Sequence, residues 1–128
     1  MTTRRGALAG GIALATLGPA AFAKGESGMY GMIGRITAKA GQRDALVKLL
    51  LAGSDAMPGC LSYIVAEDAG DADTLWVSEA WDSEASHKAS LQNPAVKAAI
   101  GAAMPLIAGF DTAATTRPVG GIGLTPQR

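Results

Sequence analysis

The sequence predicts one small α+β domain, a single antiparallel sheet covered by helices. Three observations predict it. Runs rich in β-branched and aromatic residues recur at 29–37, 60–67, 74–82 and 106–116. Stretches with apolar residues at helical spacing lie between the first and second runs and between the third and fourth. The chain has 128 residues, enough for one domain and not two.

The first strand, Met29-Tyr-Gly-Met-Ile-Gly-Arg-Ile-Thr37, is followed by a turn that Gly41 closes. Leu46, Leu49, Leu50, Gly53 and Met57 then fall on one face of a helix, which Pro58-Gly59 stops. Residues 60–67 form the second strand, Asp68 to Asp73 a polar turn, and residues 74–82 the third strand, so the second and third strands pair as an antiparallel hairpin. Asp82 and Ser83 are good N-caps for a helix through about Leu91. Asn93-Pro94 reads as cap and first helical position, after which Val96, Ala99, Ile100, Ala103 and Met104 repeat at helical spacing as far as Pro105. Residues 106–116 are the fourth strand, and a Gly- and Pro-rich tail occupies 117–128.

The order strand, helix, strand, strand, helix, strand is the split βαβ, or ferredoxin-like, arrangement, with both helices on one face of the sheet. Strand alternation puts Leu75, Val77, Glu79 and Trp81 on one side and Trp76, Ser78 and Ala80 on the other, and in the second strand Leu61, Tyr63 and Val65 against Ser62, Ile64 and Ala66. Neither face is polar, so the sheet is expected to pack against that of a second copy in a homodimer.

Residues 1–23 have the marks of a removable export signal. Arg4-Arg5 precedes a short apolar run to Leu17, Gly18-Pro19 breaks it, and Ala21-Phe-Ala23 offers the small residues of a cleavage site. The adjacent arginines resemble a twin-arginine signal, the general secretion route being the alternative. The run is shorter than the roughly 20 residues that span a bilayer, so no lasting membrane anchor is expected. A periplasmic or secreted domain follows, joined to the signal by a linker at 24–28. Without Arg4 and Arg5 it carries 9 basic and 11 acidic residues, a net charge of about −2, and lacks the basic stripe that nucleic acid needs. One cysteine (Cys60) and one histidine (His87) exclude an internal disulfide and Cys- or His-rich metal clusters. Asp68, Asp71 and Asp73 lack the spacing of a calcium loop and read as a solvated turn.

The segment Glu79-Ala-Trp81-Asp-Ser83-Glu-Ala-Ser-His87-Lys-Ala-Ser90-Leu91 carries the candidate chemistry. Glu79 and Trp81 share a strand face, His87 and Ser90 are neighbours on the next helix, and the strand–helix unit can bring the pairs together across one pocket. Tyr63 could join them or stack across the sheet. Arg35, inside the first strand, either binds an anionic ligand or lies on the sheet edge. Cys60 reads as a small core residue.

Gly41 after the first strand, Pro58-Gly59-Cys60-Leu61-x-Tyr63, then Glu79-x-Trp81-x-Ser83 leading into a helix, together with the tail Pro118-Val-Gly-Gly-Ile-Gly-Leu124, resemble the antibiotic biosynthesis monooxygenase (ABM) family and its quinol monooxygenase subgroup. The resemblance runs from about Tyr30 to Leu124. It implies a dimeric α+β barrel that oxygenates phenols or hydroquinones with O₂ and no cofactor. Such chemistry needs a base, an anion-holding donor and a dry enclosure. His87 suits the first task, the Tyr63 hydroxyl or Trp81 indole N–H the second, and apolar walls the third. With His87 and Tyr63 as the catalytic pair, Trp81, Glu79, Ser90 and Arg35 are the expected substrate contacts. Many members carry a histidine where this chain has Ser90, so His87, one turn earlier, is the only imidazole available. Haem-degrading relatives carry an asparagine where this chain has Gly34, which argues against haem. The alternative function is a non-catalytic dimer of the same fold that binds an aromatic or haem-like ligand.

Overall fold

Side-chain alternation along four strands sets the architecture seen in a computed structural model, which describes residues 28–54 and 57–124. The export signal, nearly all of the 24–28 linker and the last four residues of the tail lie outside the described residues. The elements run β1 (Tyr30–Ala38), α1 (Arg43–Ala52), β2 (Cys60–Glu67), β3 (Thr74–Trp81), α2 (Glu84–Ser90), α3 (Pro94–Ala103), a 3₁₀ turn (Met104–Leu106) and β4 (Ile107–Thr116). The sheet order is β2-β3-β1-β4 with every pair antiparallel, the predicted ferredoxin-like α+β fold. Among the described residues no helix is long and apolar enough to cross a membrane.

Register decides which residues meet beneath the helices. Glu79 of β3 lies opposite Met32 of β1 and Tyr63 of β2, and Trp81 lies opposite Tyr30 and Cys60. A bulge at Leu61 corrects the predicted alternation: it shifts the strand by one residue, so Cys60 joins Tyr63 and Val65 on the helix side in the place expected for Leu61. Cys60 is fully buried beside Trp81, Met57 and Val96, and Leu46, Leu75, Ile36 and Val77 form a second cluster. A fully buried leucine such as Leu46 or Leu75 contributes about 2 kcal/mol.

The helices differ from expectation in one place. α1 ends at Ala52 rather than reaching Met57. Gly53 is a weak helix former at its C-cap, and Ser54 closes the end by bonding the Leu51 carbonyl through both its N–H (3.3 Å) and its hydroxyl (2.7 Å). The run after β3 divides into α2 and α3 at the expected Asn93-Pro94 boundary: Asn93 adopts extended backbone ahead of Pro94 and caps α3 through Ala95 N–H (2.8 Å). The Ser83 side chain caps α2 through Ser86 N–H (3.0 Å).

The outer face is less apolar than the pattern suggested. Ile33, Ile64, Trp76 and Ala80 share it with an exposed Arg35–Asp111 ion pair bridging β1 and β4 at 2.8 Å.

Gly59 seats α2 on the sheet. Its φ of +86° belongs to the left-handed region, its carbonyl accepts from Asp82 N–H (2.8 Å), and an added Cβ would run into Ser86. Gly59→Ala is expected to cost on the order of 1–3 kcal/mol from backbone strain, read as a lower midpoint in urea. An unchanged midpoint would mean the α2 junction is softer than this packing implies.

Candidate active site

Small residues keep a space open between the sheet and its helices. β1 presents Gly34 toward them, and α1 approaches α3 closely because Gly53 has no side chain: a Cβ there would meet the Ala99 methyl at 2.5 Å. The result is a cavity of about 510 Å³, within the usual range for small-molecule sites. Met32 and Gly34 floor it, α3 contributes Val96, Ala99 and Ile100, and β3 and α2 supply its polar end.

At that end Glu79 is the centre. Its Oε1 accepts the Trp81 Nε1–H at 2.9 Å, a bond made possible because residues two apart on a strand share a face. The Nε2 atom of His87 lies 3.9 Å from the same oxygen, beyond direct hydrogen bonding. The His87 and Glu79 side chains are only 16% and 18% exposed, so bulk water screens the pair incompletely. Two rings fix the imidazole. Tyr30 lies against it at 5.3 Å between centroids and Trp81 meets it edge-on at 5.4 Å. The Ser90 hydroxyl donates to the His87 carbonyl at 2.6 Å.

Burial, with the Glu79 charge second and Cys60 third, pushes the Tyr63 phenol up to about 12. Burial also raises Tyr30, helped by Glu84 and Glu79, and raises the Cys60 thiol. Tyr63 is therefore a neutral hydrogen-bond donor at ordinary pH and not a base.

The structure brings five of the six predicted residues to this cavity: Tyr63, Glu79, Trp81, His87 and Ser90. Two have altered parts. The Trp81 N–H is already given to Glu79, so it positions that carboxylate, and Tyr63 is left as the donor for an anion. Ser90 is buried with its proton committed within α2, which makes it a wall with free lone pairs. Arg35 does not reach the cavity. Its parity along β1 is opposite to that of Met32, Gly34 and Ile36, so it faces the other side of the sheet and pairs with Asp111, which raises its pKa further. An anion-binding role for Arg35 in this cavity is thereby set aside. Tyr30 and Phe110 were missed. Tyr30 shares the parity of Gly34 and Ile36 and was findable on that ground, whereas Phe110 depends on a β1–β4 register with two bulges.

The acidic turn has structural employment. Asp68 accepts Trp76 Nε1–H (2.8 Å), Gly70 N–H (2.9 Å) and Asp71 N–H (2.8 Å), bonds that hold its carboxyl below the usual range. Asp71 accepts Asp73 N–H (2.9 Å), and Asp73 accepts Gly41 N–H (3.2 Å).

Folded Tyr63 ionises near pH 12 against about 10 when unfolded, so on raising the pH the unfolded chain loses this proton first. The stability linked to it is intact below pH 10 and is lost as the pH climbs to 12. Optical titration of the folded protein is expected to show a late tyrosine step near 12 that Tyr63→Phe removes. Both tyrosines ionising together at 10 would contradict the enclosure described.

Comparison with known proteins accords with this geometry. The antibiotic biosynthesis monooxygenase family profile matches residues 29–102. A solved structure from Chloroflexus aurantiacus J-10-fl, provisionally named an antibiotic biosynthesis monooxygenase, is 54% identical; the match covers 75% of this chain and 98% of that one, with a TM-score of 0.73. A similarly named protein from Caulobacter crescentus CB15 is 22% identical over 72% of this chain and 91% of that one (TM-score 0.66), and a Mycobacterium tuberculosis protein is 22% identical over 73% and 98% (TM-score 0.63); these two speak to the fold alone. No curated protein matches. By the family match and by the identity to the Chloroflexus protein, the chain belongs to the antibiotic biosynthesis monooxygenase family.

Proposed function

We propose that the protein is a monooxygenase that oxidises a small hydroquinone or phenol with O₂. The observation that carries this reading is a base and a donor, His87 and Tyr63, at the polar end of an otherwise apolar cavity, with Glu79 beside the base. His87 takes the substrate's hydroxyl proton, and Glu79 stabilises the imidazolium that forms. Tyr63 donates a hydrogen bond to the phenolate oxygen. The phenolate is electron-rich enough to pass one electron to O₂, which overcomes the spin barrier, and the two radicals combine at a ring carbon as a peroxide. Loss of water leaves the oxygenated quinone. Hydroquinone and O₂ give hydroxyquinone and water, so the substrate supplies every electron and no separate reductant is consumed.

The alternative, a binding protein for an aromatic or haem-like ligand, needs the cavity but not a base beside a carboxylate. Among the described residues no lysine or arginine lines the cavity to meet haem propionates, which favours a neutral ligand.

Two further parts of the reading concern assembly and address. The outer-face residues Ile33, Ile64 and Trp76 support a homodimer packed sheet to sheet, and residues 1–23 support export by the twin-arginine route to the periplasm. Sedimentation of the processed chain as a monomer, or its retention in the cytoplasm, would remove these parts and leave the chemistry standing.

Oxygen uptake over a panel of hydroquinones, with chelator present, tests the chemistry. We expect His87→Ala to lower kcat/KM by about 10²–10⁴-fold, the usual worth of a general base, and Tyr63→Phe to lower it less. Consumption no faster than the uncatalysed reaction across the panel would overturn the proposal.

A further inference from the structure

We propose that the ligand is an amphiphile: a hydroxylated ring seated against Tyr63, Glu79 and His87, carrying an alkyl chain that leaves through an apolar mouth formed by Leu91, Ile100, Met104 and Phe110. This rests on the cavity being the substrate site and extends that reading to the shape and polarity of the substrate.

The polarity of the cavity is one-sided. Its carboxylate, imidazole and phenol gather around Glu79, and the Trp81 and Ser90 protons there are already committed. Away from that end the walls are Val77, Ile36, Leu50, Ala103 and Ile107, which hold only carbon atoms in their side chains. A hydroxylated ring has one place to hydrogen-bond, and the rest of the ligand meets hydrocarbon.

Size points the same way. A space of roughly 150 Å³ accommodates benzene, whereas this cavity measures about 510 Å³. A single ring at the polar end leaves most of it empty, and apolar cavities of that size are costly to leave unfilled.

The mouth completes the case. Leu91, Ile100, Met104 and Phe110 line the cavity yet are 41%, 43%, 60% and 56% exposed. Single exposed apolar residues are ordinary, but four that also line the cavity mark where its apolar interior reaches solvent. Among the described residues no lysine or arginine lines the opening to receive a charged tail. The sheet-to-sheet dimer proposed above uses the opposite face and leaves this mouth open. A chain threaded through it would cover these residues and fill the outer cavity together.

Binding of 4-alkylphenols from methyl to octyl, measured by titration calorimetry below micelle-forming concentrations, tests the proposal without turnover. Affinity is expected to rise about fourfold per methylene over the first several carbons and then level off as the chain reaches solvent. Met104→Asp and Ile100→Asp, both at exposed positions, are expected to weaken 4-octylphenol at least tenfold and 4-methylphenol by a clearly smaller factor. Affinity independent of chain length overturns the proposal. So does a length dependence the two variants do not alter, or a change of assembly mass in either variant, which would assign the mouth to a second copy. A protein that binds the series steeply but consumes no O₂ keeps this inference and loses the monooxygenase reading. One that oxidises hydroquinone with no chain preference does the reverse.

Discussion

Glu79 stands on the helix-facing side of β3, where nearly every neighbour is apolar. A carboxylate in such a place is costly unless groups that favour its charge are brought to it. The fold brings two. Trp81, two residues along the same strand, turns its N–H to Oε1 at 2.9 Å, and α2 carries His87 to within 3.9 Å of the same oxygen. The rest of the site depends on this meeting. The rings of Tyr30 and Trp81 hold the imidazole, Tyr63 lies directly across from Glu79 in the ladder and is kept protonated partly by its charge, and Gly59 lets α2 descend far enough for His87 to arrive.

Much of this was legible in the chain, for identifiable reasons. Period-two alternation in 74–81 named Glu79 and Trp81 as partners, and turn chemistry at Asn93-Pro94 marked a real boundary, whereas α1 stops at Gly53, ahead of the Pro58-Gly59 expected to end it. The hairpin turn at 68–73 also needed only local information. What escaped depended on long-range register. The bulge at Leu61 exchanges Leu61 for Cys60 beneath the helices, and nothing in the local pattern announces an extra residue. Arg35 is odd where Met32, Gly34 and Ile36 are even, and only the ladder to β3 shows which set the helices cover. Phe110 was hidden by two bulges between β1 and β4.

Absence of side chains matters as much as their presence. Gly34 keeps the cavity floor low, with a virtual Cβ only 3.4 Å from the Phe110 ring, and Gly53 lets α1 and α3 roof the space without filling it. Close packing elsewhere, around Leu46, Leu75 and Trp81, supplies the rigidity that allows a void to persist. The cavity is thus held open by the same core that stabilises the domain.

Family membership settles the fold and leaves the chemistry to these particular side chains. In the proposed reaction the one histidine of the chain is the base, held on α2 at 3.9 Å from Glu79. The most direct test is a crystal structure of the protein with hydroquinone, grown without oxygen. The account predicts the ring inside the cavity, one hydroxyl within about 3.2 Å of His87 Nε2, and the same oxygen in reach of the Tyr63 hydroxyl. A ring bound elsewhere, or lying in the cavity with both hydroxyls turned away from His87, would contradict it.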